Sequence, residues 1–194
     1  MSMKYDMILA GVGGQGVLSV AAAIGLAAVG EGLHLKQAEV HGMSQRGGAV
    51  QSHLRIAARP IHSDLIGEGQ TDMLLSLEPM ETLRYVPFLA PDGVIVADRE
   101  PVLNIPDYPD LDAVLAALRQ FPRVHLLDAT GIAQSLRNAR ASNMVLLGAA
   151  SVFLPLSVGA LEKAIGQLFG RKGEAVVTRN VEAFHAGRSV IQPV

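Results

Sequence analysis

The chain has 194 residues, 49% of them hydrophobic and 18% charged, with 16 basic against 18 acidic side chains and a net charge of −2. That balance excludes a disordered chain and gives no basic excess for nucleic acid, and the length fits a single domain over residues 1–194. Cysteine is absent, which excludes disulfides, thiolate zinc sites, iron–sulfur ligation by this chain and a cysteine nucleophile.

Tyr5 to Ala10 is a short apolar run closed by glycine and predicts a buried strand. Val17 to Glu31 is rich in helix formers and predicts a helix. Its apolar part, Val17 to Val29, is too short to cross a membrane, which takes about 20 residues; with no signal-peptide pattern, a cytoplasmic location is expected. Leu33 to Val40 predicts a second strand, and His41 to Gly48 a glycine-rich loop. In Ala49 to Ile56, Val50, Ser52, Leu54 and Ile56 share one face and Gln51, His53 and Arg55 the other, which predicts a half-exposed strand. Asp72 to Leu77 is a further strand and Pro79 to Leu89 a helix opened by proline. Pro91-Asp92-Gly93 reads as a turn and Val94 to Ala97 as a strand. Pro101 to Pro109, with three prolines, is the expected irregular segment. Leu111 to Phe121 predicts a helix and Val124 to Leu127 a strand. The remainder reads as helical: Asn143 to Phe153 capped by Ser142, Val158 to Phe169 capped by Ser157, and a last helix ended by Gly187. Arg137 falls on the helix expected after Asp128. The alternation predicts an α/β fold: three layers, α/β/α, around a mainly parallel (mixed) sheet, with a Rossmann-like first βαβ unit and a helical C-terminal part.

Two loops carry chemistry. Gly11-Val12-Gly13-Gly14-Gln15-Gly16 fits the G-x-G-x-x-G pattern between a strand and a helix, where backbone N–H groups face an anion. Glu39 stands where a dinucleotide enzyme places its ribose-binding acid. An NAD enzyme also needs a substrate domain with its own catalytic group, and no segment supplies one. The glycines also suit tight strand-to-helix packing. The second loop, His41-Gly42-Met43-Ser44-Gln45-Arg46-Gly47-Gly48, follows the second strand and is expected at the same carboxyl edge. Arg46 has reach for a bidentate contact to an anion, and His41 titrates near neutrality; these are the catalytic candidates. Gly11, Gly13, Gly14, Gln15, Gly16, Gly42, Ser44, Gln45, Arg46, Gly47 and Gly48 form the candidate ligand or interface loops. The six histidines show no metal-ligand spacing, so no metal site is expected. Low charge and a mean hydropathy of +0.32 point to a protein partner.

The two loops together resemble the gamma-type domain of 2-oxoacid:ferredoxin oxidoreductases, and the His-Gly-Met-Ser-Gln-Arg-Gly-Gly wording is most similar to the indolepyruvate branch. Similarity continues through Asp72 to Pro79, Asp128-Ala129-Thr130 and Asn143 to Gly148. The resemblance implies a subunit without cofactors of its own, which completes the active site of a large partner in a hetero-oligomer. That partner holds thiamine diphosphate, magnesium and iron–sulfur clusters, passes electrons to ferredoxin, and uses coenzyme A as co-substrate to convert an aryl 2-oxoacid to an acyl-CoA. A homodimer is the form to check for in the isolated chain. A stand-alone nucleotide- or coenzyme A-binding module and a purely structural subunit are the alternatives.

Overall fold

The computed structural model describes residues 3–41 and 47–191. The strands are β1 (Lys4–Val12), β2 (His34–His41), β3 (Ala49–Ala57), β4 (Thr71–Ser76), β5 (Leu89–Asp98) and β6 (Val124–Leu127). They form one sheet in the order β2-β3-β1-β4-β5-β6. β1, β4, β5 and β6 are parallel neighbours, whereas β3 pairs antiparallel with both β1 and β2. The sheet is thus mixed. The first strand–helix–strand unit departs from the dinucleotide-binding pattern, because β3 lies between β1 and β2. β2 nevertheless runs in the same direction as β1, so both glycine loops leave the sheet at its carboxyl edge.

Alternation sets the two faces. Met7, Leu9, Leu54, Ile56, Met73, Leu75, Val94 and Val96 face one layer of helices: α1 (Val17–Gly30), α4 (Ala129–Ser135), α5 (Ser142–Ala150), α6 (Val158–Phe169) and α7 (Glu174–Ser189). Ile8, Ala10, Leu74, Ile95 and Ala97 face a thinner layer containing Ile66, Tyr85 and Phe88, built by α2 (Pro79–Tyr85) and its neighbour α3 (Leu111–Leu118). α1 is apolar on most sides because it packs on the sheet as well as on α5 and α6.

Burial of β3 exceeds the sequence expectation. His53 is only 6% exposed; its Nδ1 accepts from the Ile66 N–H at 3.0 Å, and its ring meets Phe88 edge-on. Burial lowers the pKa of this histidine. Arg55 reaches the fully buried Asp6 through two bonds of 3.0 and 2.9 Å and donates to the Ser63 and Leu65 carbonyls. Its Nε, Nη1 and Nη2 thus each donate to an acceptor.

Several boundaries differ from the sequence reading. The helix from Pro79 stops at Tyr85 and tightens to a 3₁₀ turn over Val86–Phe88, since Pro87 cannot donate into an α-helix. Pro91-Asp92-Gly93 lies within β5; the register passes from Thr71↔Leu89 to Met73↔Val94, so these residues bulge out of the ladder. α3 ends at Leu118. Ser142 does not cap α5: the cap position is Ala141, without a side-chain bond. Ser157 does cap α6, accepting from the Ala160 N–H at 3.2 Å. Arg137 lies just past α4 at φ 55, the left-handed region, rather than on the helix. Gly187 sits inside α7. Its role is close approach: a Cβ there would lie 1.8 Å from the Val145 carbonyl, and one on Gly148 would lie 1.8 Å from the Phe184 carbonyl. These glycines let α5 and α7 touch backbone to backbone. Among the described residues, no helix is long and apolar enough to cross a membrane.

Candidate functional site

The two glycine loops are bonded to one another. Past the Val12↔Ala49 pair, the Gly13 N–H donates to the Gly48 carbonyl at 2.8 Å and the Gly47 N–H donates to the Gly13 carbonyl at 3.2 Å. Gln15 closes the first loop from inside: its Oε1 accepts from the Val12 N–H at 2.7 Å and its Nε2 donates to the Leu77 carbonyl at 2.6 Å. α1 then starts from Gly16, whose φ of 89 suits glycine and whose Cβ, if present, would lie 2.4 Å from Asn143 Nδ2.

Gly11, Gly13, Gly14, Gln15, Gly16, Gly47 and Gly48 thus lie together at this end of the sheet. Gly42, Ser44, Gln45 and Arg46 lie outside the described residues, and so does the side chain of His41, whose backbone ends β2 opposite Val50. Glu39 pairs in register with Ser52 of β3. It is thus two strand spacings from β1, about 10 Å, and not beside the first loop as a dinucleotide site requires.

A cavity of about 410 Å³ opens at the N-terminus of α1, lined by Gly14, Gly16, Ser19, Arg140, Asn143, Lys172, Arg179 and Asn180 among others. Among the described residues, three cations line it and no carboxylate does. Arg140, Lys172 and Arg179 form no ion pair among the described residues; Lys172 rests 5.4 Å above the Phe169 ring. Asn143 is buried at the floor, donating to the Gly16 carbonyl at 3.4 Å. The first amides of a helix and three cations together favour an anion. This site joins α1 to the C-terminal helices. Arg140 stands 32 positions before Lys172, and Lys172 and Arg179 lie in different elements, so no local motif announced them.

The carboxyl edge carries a second group that was not read from the sequence. Glu78 is fully buried; its Oε2 accepts from the Glu81 N–H at 2.8 Å, capping α2, and its Oε1 accepts from the Tyr108 hydroxyl at 2.5 Å and the Val102 N–H at 3.5 Å. Asn104 Nδ2 donates to the Gly47 carbonyl at 2.5 Å. The irregular residues 99–110 are thereby strapped across the sheet end and tied to the second loop. Asp98, at the root of this strap, is 4% exposed. It accepts from the N–H groups of Glu100 and Ala129 and from the Thr130 hydroxyl. Burial outweighs these bonds and raises its pKa to about 6. Asp128 caps α4 by accepting from the Gly131 N–H at 2.8 Å and pairs with Arg99 at 2.7 Å. Among the described residues, no cluster of histidine and carboxylate side chains fits a metal ion.

Known proteins share this fold and sequence over nearly the full chain. Indolepyruvate oxidoreductase subunit IorB of Archaeoglobus fulgidus is 34% identical, over 95% of this chain and 94% of the relative. The crystal structure of the keto/oxoacid ferredoxin oxidoreductase gamma subunit from Geobacter sulfurreducens aligns with a TM-score of 0.67 and 28% identity, over 95% of this chain and 96% of that one. The 2-oxoglutarate:ferredoxin oxidoreductase of Magnetococcus marinus shares the fold at a TM-score of 0.77 and 22% identity; 97% of this chain matches 32% of that longer chain. The sequence model of the pyruvate ferredoxin/flavodoxin oxidoreductase family matches residues 6–190, and the chain belongs to that family.

Proposed function

We propose that this chain is the small subunit of a 2-oxoacid:ferredoxin oxidoreductase that converts an aryl 2-oxoacid such as indolepyruvate, with coenzyme A and oxidised ferredoxin, to the acyl-CoA, carbon dioxide and reduced ferredoxin. The observation that carries the reading is the joining of the two glycine loops at one sheet edge, beside a cationic cavity, in a chain 34% identical to an indolepyruvate oxidoreductase subunit. The thiamine diphosphate, magnesium and iron–sulfur clusters belong to a large partner subunit, which also meets ferredoxin; this chain has no cysteine for a cluster. Bound there, thiamine diphosphate supplies the nucleophilic carbon and the electron sink for decarboxylation.

The part of this chain is binding and placement. The cavity of Arg140, Lys172 and Arg179 at the start of α1 takes the phosphates of coenzyme A, and Ser19 and the Gly14–Gly16 backbone supply uncharged donors. Its volume suits the phosphate-bearing part of the cofactor, with the thiol arm directed toward the partner's active site. Arg46, next to the anchored Gly47, meets a carboxylate of the substrate or partner. The enzyme works in the cytoplasm.

The test is reconstitution with the large subunit and an assay of indolepyruvate-dependent viologen reduction. The chain alone is expected to be inactive and the complex active. Lys172→Ala combined with Arg179→Ala should raise KM for coenzyme A at least tenfold and leave KM for the 2-oxoacid near the parent value. Arg46→Ala should lower turnover at least tenfold, with partial rescue by Arg46→Lys. Turnover by the isolated chain would overturn the division of labour; an unchanged coenzyme A KM would remove the cavity from the reading.

A further inference from the structure

The strap over residues 99–110 presents apolar side chains to solvent while its backbone is fixed from below. Leu103 is 74% exposed and Ile105 is 41% exposed. Both lie between anchors: the Glu100 N–H on Asp98, the Val102 N–H and the Tyr108 hydroxyl on Glu78, and Asn104 on the Gly47 carbonyl. A segment with three prolines and this many ties loses little conformational freedom on binding. Such an outward apolar ridge is unfavourable in a free subunit and is the form expected of a contact surface.

Its charge is one-sided. Glu100, Asp107, Asp110 and Asp112 are exposed on and beside the ridge, whereas Arg99 is engaged with Asp128. A two-fold contact with a second copy through the ridge would place these carboxylates against their own equivalents. The charge therefore selects a different molecule, one with an apolar recess and a basic rim. The ridge is also continuous with the glycine loops through the Asn104–Gly47 bond.

We infer that the strap, with Leu103 and Ile105 at its crest, is the docking ridge for the cofactor-bearing large subunit, and that docking there fixes Gly47 through Asn104. This rests on the proposed role as a subunit of that enzyme. The strap's apolar crest supplies affinity, its carboxylates supply orientation and a fast approach, and the loops beside it serve binding and placement.

The experiment uses the full chain and the large subunit, with affinity measured by titration and turnover measured separately at saturating partner. Leu103→Asp combined with Ile105→Asp should leave the thermal midpoint of the free chain unchanged and weaken the complex at least thirtyfold. Turnover of the complex, once saturated, should be near that of the parent. Raising the salt from 50 to 500 mM should weaken the parent complex several-fold. A parent complex that forms and turns over, but binds the double variant equally well, overturns the ridge and leaves the subunit role standing. A parent chain that forms no complex overturns both. A free chain that dimerises until the double substitution abolishes the dimer assigns the ridge to a second copy instead.

Discussion

Gly13 and Gly48 are joined by a hydrogen bond of 2.8 Å from N–H to carbonyl, and that bond turns two loops 35 residues apart into one unit. Gln15 holds the unit against β1 and the residue after β4. Gln15→Leu should leave the Val12 N–H and the Leu77 carbonyl without their partner. The expected cost is about 1–3 kcal/mol, read by urea unfolding, with loss of activity in the complex larger than the stability change implies. A variant with parent stability and parent activity would show that Gln15 contributes nothing to the unit.

Gly148 and Gly187 mark where α5 and α7 meet without side chains between them. Gly148→Ala places a methyl carbon inside the Phe184 carbonyl, and this contact involves backbone rather than a movable side-chain tip. Destabilisation of at least 3 kcal/mol is expected, at or beyond the upper end of ordinary overpacking. Gly159→Ala, on α6 with nothing within 4 Å of the new carbon, should be neutral or slightly stabilising, since alanine favours a helix by about 1 kcal/mol over glycine. Equal thermal midpoints for the two variants would contradict the packing described.

Asp98 makes stability depend on pH in the direction opposite to that of a salt-bridged carboxylate. Burial raises its pKa from 3.8 to about 6 in the folded protein. The unfolded chain ionises first on raising the pH, so the contribution of the neutral carboxyl is fully present below about pH 4 and is lost as pH rises through 6. The shift corresponds to about 3 kcal/mol. Asp98→Asn stays neutral throughout. The stability of the parent relative to this variant should therefore fall by that amount between pH 4 and 7, measured by urea titration at each pH. A difference independent of pH would assign the titration elsewhere.

The glycine fingerprint should not bind NAD(H) tightly. In a dinucleotide site the acidic residue of the second strand lies beside the loop after the first strand; here β3 separates them. Calorimetric titration should give no heat of tight binding. A micromolar dissociation constant abolished by Glu39→Ala would restore the dinucleotide geometry.

Hydrophobic periodicity carried most of the fold. β6 and α6 fall within the expected bounds, because each is flanked by residues that leave no alternative: Ser157 caps α6 through its own hydroxyl. The insertion of β3 between β1 and β2 was not legible, since alternation along β3 is the same whichever strand it joins. Gly187 read as a helix end because a local rule for glycine cannot see the Val145 carbonyl on another helix. The first glycine loop was legible as a turn between a strand and a helix, whereas the cavity beside it was not: Arg140, Lys172 and Arg179 are ordinary surface cations until the turn before α5, the turn after α6 and α7 bring them to the start of α1. Glu78 and Asp98 were missed for the same reason, as their partners on the strap and α4 lie 24 to 32 positions away.

β2 and β3 form an antiparallel pair whose connection begins after His41 and is fixed again at Gly47 and Gly48 on the Gly13 backbone. As consecutive antiparallel neighbours they need no crossover helix between them. The place of this edge of the sheet is thus set by strand ladders and by the Gly47 and Gly48 anchors alone, and the helices of either layer are not needed to fix its register.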